Sequence, residues 1–118
     1  MTELYQGIIE KLMQGSKDIK AVALISSDGL MLHSNISDIN PDKVAALSAA
    51  VLGLAKKSAS EMNFGGLNEV QIRGEDATYI ILSIGVKKLL TLIVSSQANI
   101  GMINILTRET VKSLSEDI

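Results

Sequence analysis

The sequence contains no cysteine among its 118 residues. This absence excludes disulfide scaffolds, thiolate metal sites and cysteine nucleophiles, and it favours a reduced, cytoplasmic setting. Tryptophan is also absent, and with only one Phe and two Tyr the core must be built from aliphatic side chains. Nucleic-acid bases are commonly held by stacking on aromatic rings, so the scarcity of rings argues against that mode of binding.

Charge of one sign is not concentrated anywhere in the chain. Eleven Lys and Arg residues stand against 13 Asp and Glu residues, which gives a net charge of −2. The basic residues are scattered, apart from the pairs Lys56–Lys57 and Lys87–Lys88. No basic stripe is present that could neutralise a row of phosphates, so no nucleic-acid partner is expected. The apolar runs are shorter than a membrane span, so direct membrane insertion is not expected either.

Signals of catalysis or cofactor binding are also lacking. The phosphate-loop pattern G-x-x-x-x-G-K-[ST] does not occur. His33 is the only histidine, and a catalytic triad built on it would need a nearby serine together with Asp28 or Asp38. A hairpin brings such residues close without any catalytic purpose, and no metal-ligand spacing is recognisable. The sequence therefore predicts no enzyme, no cofactor and no metal site.

Periodicity and turn signals predict the element order α-β-β-α-β-β-β-α within a single domain spanning residues 1–118. Asp28-Gly29 between two apolar runs indicates a hairpin, and Asn40-Pro41 indicates the start of a long helix. The last two strands are almost continuously apolar, which favours an α+β fold with helices on both faces of a largely antiparallel sheet. The predicted helices are 3–14, 41–62 and a last one from about 99, and the predicted strands are 21–25, 30–34, 68–73, 78–84 and 89–94.

The long predicted helix carries no charge from Val44 to Ala55. An ordinary surface helix has a charged face opposite one apolar stripe, whereas this helix has two uncharged surfaces. A bulky stripe is predicted to pack on the sheet, and it consists of Val44, Leu47, Val51, Leu54, Ser58 and Met62. A small-residue surface is predicted to form a dimer interface, and it consists of Ala45, Ala46, Ala49, Ala50 and Gly53, with Leu52 beside them.

Two interpretations of the small-residue surface remain open. Alanine favours helix by itself, and the helix could lie deep inside a monomer. A domain of this size has few other elements that could cover such a helix, however, and an uncovered apolar patch would promote aggregation. Self-association by two-fold symmetry is the most common solution. The sequence therefore favours a second copy of the chain as the cover.

The predicted strand 68–73 is short and alternating, which is typical of a sheet edge. If two copies paired antiparallel about Gln71, Glu69 of each copy would face Arg73 of the other, giving a self-complementary register. Alternatively, Glu69 and Arg73 are solvent-facing charges that discourage edge-to-edge aggregation. Both interpretations remain open at the level of sequence.

The whole chain resembles the roadblock family, which contains the roadblock-type dynein light chains and their prokaryotic relatives. The resemblance lies in the order and spacing of five segments: Ala21–Leu30, the Ala-rich helix Val44–Ala55, Gly66–Val70, Tyr79–Leu82 and Ala98–Ile103. It implies a profilin-like, five-stranded antiparallel sheet with the second helix on one face and the first and last helices on the other. It also implies dimerisation through the second helix and the third strand into one continuous sheet.

Members of this family commonly bind Ras-like small GTPases, and the chain looks closest to stand-alone prokaryotic forms related to the bacterial gliding-motility GTPase activator. The resemblance therefore implies a non-enzymatic, homodimeric regulator or scaffold of a small GTPase. The alternatives are a structural adaptor that binds a motor, a membrane complex or another roadblock chain, and a ligand-sensing or hydrolytic domain, for which no polar constellation is present.

Two groups of charged residues are candidates for contact with such a partner. Arg73 and Arg108 are the only arginines, and either could supply an arginine finger to a GTPase. Rearrangement of the GTPase's own switch residues is the favoured alternative. A polar rim around a partner site is predicted at the end of the long helix, consisting of Lys56, Lys57, Ser60 and Glu61. Lysines in the last turns also suit the helix dipole, which needs no partner.

Overall fold

A computed structural model describes the backbone of residues 2–117 and the side chains of residues 3–113. The elements are α1 (Thr2–Gly15), β1 (Ile19–Ser26), β2 (Met31–Ser34), α2 (Pro41–Glu61), β3 (Val70–Arg73), β4 (Ala77–Ile84), β5 (Lys88–Ser95) and α3 (Ile100–Asp117). The predicted order of elements is therefore confirmed, and so is the α+β fold class.

The five strands form one antiparallel sheet in the order β2-β1-β5-β4-β3. The three long strands β1, β5 and β4 lie in the middle, where both of their faces are covered, which explains why their sequences are almost continuously apolar. The two four-residue strands lie at the edges. Strand β3 begins at Val70, two residues later than predicted.

Two hydrophobic clusters sandwich this sheet. Helices α1 and α3 cover one face, where Leu12 and Ile103 meet strand residues such as Leu24 and Leu92. Helix α2 covers the other face, where Leu52 meets residues such as Ile81. The arrangement of helices implied by the family resemblance is confirmed.

Helix α2 begins where the sequence predicts. The Asn40 side-chain oxygen accepts a hydrogen bond from the Asp42 backbone N–H at 2.9 Å, and Pro41 occupies the first turn, where its missing N–H costs nothing. The helix ends at Glu61, and Asn63 then adopts a left-handed conformation with φ 59°. Both ends are therefore set by local sequence.

The face of α2 that meets the sheet differs from the prediction. The buried positions are Val44, Ala45, Ser48, Leu52 and Ala59, so the sheet is contacted mainly by a narrow and mostly small-residue stripe. Leu47, Leu54 and Met62 of the predicted bulky stripe are exposed instead. The reason is that this face of the sheet is already filled by large strand residues, including Ile25, Ile81 and Leu89. A close-packed interior alternates large and small residues, so small helix residues fit best there.

A hydrogen-bonded group of three side chains joins α2 to the middle of the sheet. Ser48 and Thr91 are buried, and the Thr91 hydroxyl donates to Ser48 Oγ at 3.1 Å. The Tyr79 hydroxyl is hydrogen-bonded to the same Ser48 oxygen. Burial raises the pKa of the Tyr79 phenol, and the hydrogen bonds with Ser48 and Thr91 oppose that shift. The group satisfies polar atoms that would be costly to leave unpaired in an apolar interface.

The turn between β1 and β2 lies against the flank of α2. Gly29 has φ +89°, and a Cβ placed on it would lie 3.6 Å from Ala46 Cα and 3.6 Å from Ala49 Cβ. The small residues on this flank of α2 therefore already have a neighbour within the chain. Only small side chains on α2 leave room for the turn to approach so closely.

We expect Gly29→Ala to lower the free energy of unfolding by about 1–2 kcal/mol, because an L side chain is strained at positive φ. Gly7→Ala is the matched control: Gly7 lies within α1, and a Cβ there would meet nothing within 4 Å. The control should be stabilising by about 0.5–1 kcal/mol, since alanine favours helix. Urea denaturation of both variants measures the difference, and equal effects would contradict the assigned turn conformation.

The group around Tyr79 predicts a pH dependence of stability at alkaline pH. Because the pKa of Tyr79 is raised in the folded state, its contribution to stability is fully present below the unfolded pKa of about 10 and is lost as the pH rises above it. Tyr79→Phe should lower the free energy of unfolding by about 1 kcal/mol at neutral pH. The difference between wild type and variant should shrink above pH 10 in denaturation measurements. A constant difference would show that the phenol is not buried as described.

Candidate functional site: the outer face of helix α2 and the edge strand β3

The side of α2 that points away from the sheet is apolar. Leu47 is 52% exposed and Leu54 is 68% exposed, and Ala46, Ala50 and Gly53 between and beside them are exposed as well. These five residues are called the outer face below. An exposed apolar patch of this extent marks an interaction site on most proteins.

The outer face is oriented toward the β3 side of the sheet. Val44 and Leu47 line an apolar groove of about 270 Å³ together with Tyr79 of β4 and Ile93 of β5. The opposite flank of α2 contacts the β1–β2 turn through Ala46 and Ala49. Since β4 lies next to the edge strand β3, the exposed leucine side of α2 is the side that faces this edge.

Strand β3 continues the apolar surface onto the sheet. Ile72 pairs with Tyr79, so the two side chains share the face that α2 covers, and Ile72 is 44% exposed. β3 is an edge strand, and nothing in residues 2–117 pairs with its outer side. Ile72 therefore lies on the same side of the sheet as the outer face, and an open strand edge lies beside Ile72.

The predicted interface residues of α2 fall into two groups. The prediction is wrong for Ala45 and Leu52, which are 0% and 3% exposed and pack on the sheet within the protomer. Ala49 is half-buried under the β1–β2 turn. Ala46, Ala50 and Gly53 are exposed, as an interface would require. Leu47 and Leu54 were assigned to the wrong side, because the sequence does not reveal how large the opposing strand residues are.

The three predicted interface residues of the edge strand point to the other side of the sheet. Gln71 pairs with Ile80 and Arg73 with Thr78, and Ile80 belongs to the core under α1 and α3. Gln71 Nε2 donates a hydrogen bond to Glu69 Oε2 at 2.6 Å. Glu69 therefore has a polar partner within its own chain, and its pairing with Arg73 of a second copy stays a prediction.

The predicted polar rim lies on the exposed surface at the end of α2. With 100° per residue, Lys57 and Glu61 fall on the same side as the outer face, whereas Lys56 and Ser60 fall nearer the β1–β2 turn. All four side chains are exposed. Lys57 and Glu61 therefore border the leucine side of the outer face, and Ser60 lies within about 20° of the direction of Gly53 at its other edge.

The two arginines lie on the opposite side from α2. Arg108 lines a cleft of about 490 Å³ between α3 and the start of β3, together with Glu69, Asn104 and Lys112. Arg73 points to the same side of the sheet. Arg108 is therefore separated from the outer face by the sheet, whereas Arg73 lies on the edge strand beside that face.

The remaining candidates do not assemble into a catalytic or metal site. His33 lines a shallow cleft with residues including Gln6 and Glu10 of α1, and neither Asp28 nor Asp38 lines that cleft. Within the described residues, no group of three or more His, Cys, Asp or Glu side chains is placed to hold a metal ion. The helices of the described region include none that is long and apolar enough to cross a membrane.

Known proteins resemble this chain in both sequence and fold. The Roadblock/LC7 domain model matches residues 5–94. MJ1340, an uncharacterized protein of Methanocaldococcus jannaschii, is 27% identical over 104 residues, which cover 87% of each chain. The structure of Myxococcus xanthus MglB matches with a TM-score of 0.89 at 15% identity, covering 98% of this chain and 94% of that one. A Roadblock/LC7 domain of Streptomyces avermitilis matches with a TM-score of 0.85 at 18% identity, covering 92% of both chains.

The family match covers most of the chain, and the structural matches share its five-stranded sheet and its helices. The sequence motifs and the fold therefore point to the same group of proteins. The chain belongs to the Roadblock/LC7 domain family.

Proposed function

We propose that the chain is a non-enzymatic, homodimeric regulator or scaffold of a Ras-like small GTPase. The observation that carries the proposal is the uncovered apolar outer face of α2 beside the open edge of β3, in a Roadblock/LC7 domain. Such a surface is suited to binding other proteins and has no arrangement suited to chemistry.

The first step of the proposal is self-association. Two-fold pairing of β3 with β3 of a second copy extends the sheet across the interface and satisfies the free backbone groups of both edges. The same operation would bring Leu47, Leu54 and Ile72 of the two copies toward one another, because all three are exposed on the α2 side of the sheet. Burial of these side chains supplies the hydrophobic stabilisation that a dimer needs.

The second step of the proposal is binding of the dimer to a partner protein. The family resemblance implies a Ras-like GTPase, and the similarity of the fold to that of Myxococcus xanthus MglB agrees with the sequence's resemblance to prokaryotic forms related to the gliding-motility GTPase activator. Arg108 lies across the sheet from α2, so an arginine finger from this residue does not fit a GTPase that docks over the paired α2 helices. Contact that favours one conformation of the GTPase's switch segments fits better.

A structural adaptor without a GTPase is the second candidate. The observation in its favour is the apolar groove beside α2, lined by residues including Ile39, Val44 and Ile93, which could hold an apolar side chain of a partner peptide. In that case the dimer would remain, and the bound protein would be a motor or membrane-complex subunit or another roadblock chain.

We expect Leu54→Glu to weaken dimerisation about 100-fold, because it places a charge in the centre of an apolar interface. Met102→Glu is the matched control, since Met102 is also 68% exposed but lies on α3, across the sheet from α2. Light scattering across a concentration series gives the mass of each variant. A Leu54→Glu protein with the mass of the wild-type dimer would contradict the proposed interface.

We expect purified dimer to bind one of the Ras-like GTPases encoded by the source organism, with different affinities for its GTP-bound and GDP-bound forms. Calorimetry with each nucleotide state measures binding, and single-turnover hydrolysis measures the effect on the GTPase. Arg108→Ala should retain any acceleration, because this side chain lies across the sheet from the docking surface. Equal affinity for both nucleotide states, or loss of acceleration in this variant, would contradict regulation through the switch segments.

A further inference from the structure

The cleft beside Arg108 lies across the sheet from α2, between α3 and the segment that leads into β3. Its volume is about 490 Å³, a size typical of pockets that bind small molecules. The residues that line it come from three distant parts of the chain, 68–69, 82–83 and 104–112. Because the fold alone brings these segments together, the sequence analysis finds no polar constellation here.

Helix α3 lines the cleft with a row of polar side chains. Asn104, Arg108 and Lys112 follow one another at intervals of four residues, so they lie on the same side of the helix. Arg108 and Lys112 are exposed, and Asn104 is half-buried. Two cations at this spacing repel each other and slightly destabilise the helix. An anion bound between Arg108 and Lys112 would remove that repulsion.

The opposite wall of the cleft is formed by the two residues that precede β3. Asn68 contributes an exposed side-chain amide, and Glu69 contributes a half-buried carboxylate. The Gln71 side-chain amide donates a hydrogen bond to Glu69 Oε2 at 2.6 Å, so this carboxylate already has a partner on β3. Among the described residues that line the cleft, two cations stand against this one carboxylate, which gives a formal charge of +1. The charge of the lining therefore favours an anion.

Strand β4 adds backbone groups to the cleft. The Gly74 N–H donates to the Ala77 carbonyl at 2.9 Å, and because antiparallel pairs alternate, the odd-numbered residues of β4 direct their N–H and C=O groups toward β3. Pairing with β3 extends only to Ile81, opposite Val70. Ser83 is the next residue of this series and lines the cleft, and no strand of the described chain pairs with its outer side. The sheet thus fixes an N–H donor at the cleft.

The cleft also has an apolar part, which consists of Leu82 and Val111. Leu82 belongs to the hydrophobic core under α3, and Val111 packs against that core. A ligand with a short carbon skeleton can contact these side chains while its charged group lies between Arg108 and Lys112. The lining therefore fits an organic anion better than a bare inorganic ion.

We propose that this cleft binds a small organic anion whose phosphate or carboxylate group is held by Arg108 and Lys112. A guanidinium can donate two parallel hydrogen bonds to either group, and the lysine ammonium adds a second positive charge. The side-chain amides of Asn68 and Asn104 and the Ser83 N–H supply further donors for the remaining ligand oxygens. Because the sheet separates this site from the outer face of α2, the inference does not rest on the proposed dimer or on its GTPase partner.

Titration of the full-length chain, followed by NMR, tests the proposal with two probes, pyrophosphate and citrate. Sodium chloride at matched ionic strength is the reference, since it changes screening without offering a phosphate or carboxylate group. We expect at least one probe to saturate the protein with a Kd below about 1 mM. The largest shifts should occur at the Ser83 backbone N–H and at the side-chain amides of Asn68 and Asn104. Tighter binding of pyrophosphate would indicate a phosphate-bearing ligand, and tighter binding of citrate a carboxylate-bearing one.

Variants of the two cations test which side chains hold the anion. Arg108→Gln and Lys112→Gln should each weaken binding of the same probe about tenfold, because each removes a charged hydrogen-bond donor. Both residues are exposed, so neither substitution should disturb folding. Lys11→Gln is the matched control, since Lys11 is an exposed lysine of α1, on the same face of the sheet, and does not line the cleft. It should leave the affinity unchanged.

Three results would overturn the proposal. The first is the absence of saturation by either probe up to about 10 mM. The second is a set of shifts spread evenly over the exposed lysines, which would indicate general charge attraction. The third is equal affinity of wild type and Arg108→Gln. A chain that dimerises but shows any of these results would overturn this inference alone and leave the proposed function intact.

Discussion

The packing of α2 on the sheet determines which residues of this helix are exposed on the surface of the protein. The strands present large aliphatic side chains toward α2, and the helix meets them with a stripe centred on Ala45, Ser48 and Leu52. This packing leaves Leu47 and Leu54 exposed, since they lie on the far side of the same helix. The hydrogen bonds among Ser48, Tyr79 and Thr91 hold this orientation, because rotation of α2 would leave buried hydroxyls unpaired. An apolar outer face is thus a direct consequence of how the core is filled.

The outer face is useful only in combination with the neighbouring strand edge. An exposed apolar helix face alone would favour indiscriminate association, and an open strand edge alone would favour aggregation. Their adjacency allows one two-fold partner to cover both at once. In this Roadblock/LC7 domain, Arg108 lies across the sheet from the outer face.

Most of the fold could be predicted from the sequence, because local signals set most boundaries. Asn40 and Pro41 start α2 as predicted, Asp28-Gly29 forms the predicted turn, and the mainly apolar strands lie in the middle of the sheet. These features depend on a few neighbouring residues or on simple periodicity. The alternation of polar and apolar residues in β3 also predicts which of its side chains lie on the α2 side of the sheet, once β3 is known to be an edge strand.

The rotation of α2 about its axis could not be predicted, because it depends on the volumes of residues far away in the sequence. Both stripes of the helix are uncharged, so periodicity alone does not tell which one meets the sheet. The large residues Ile25, Ile81 and Leu89 on the α2 side of β1, β4 and β5 contained the decisive signal, since they favour mostly small helix residues opposite them. The sequence consequently identified α2 as the helix with an unusual uncharged surface but assigned Leu47 and Leu54 to the buried side of it. Ala46, Ala50 and Gly53 stay in the candidate site, and Leu47, Leu54 and Ile72 join it.

The central claim is that a second copy of the chain covers the outer face of α2. Sedimentation equilibrium of the wild-type protein over a wide dilution series measures this most directly. The account predicts twice the chain mass of 12.6 kDa at micromolar concentrations, with dissociation only on strong dilution. A well-folded protein that sediments at 12.6 kDa at every concentration would contradict it.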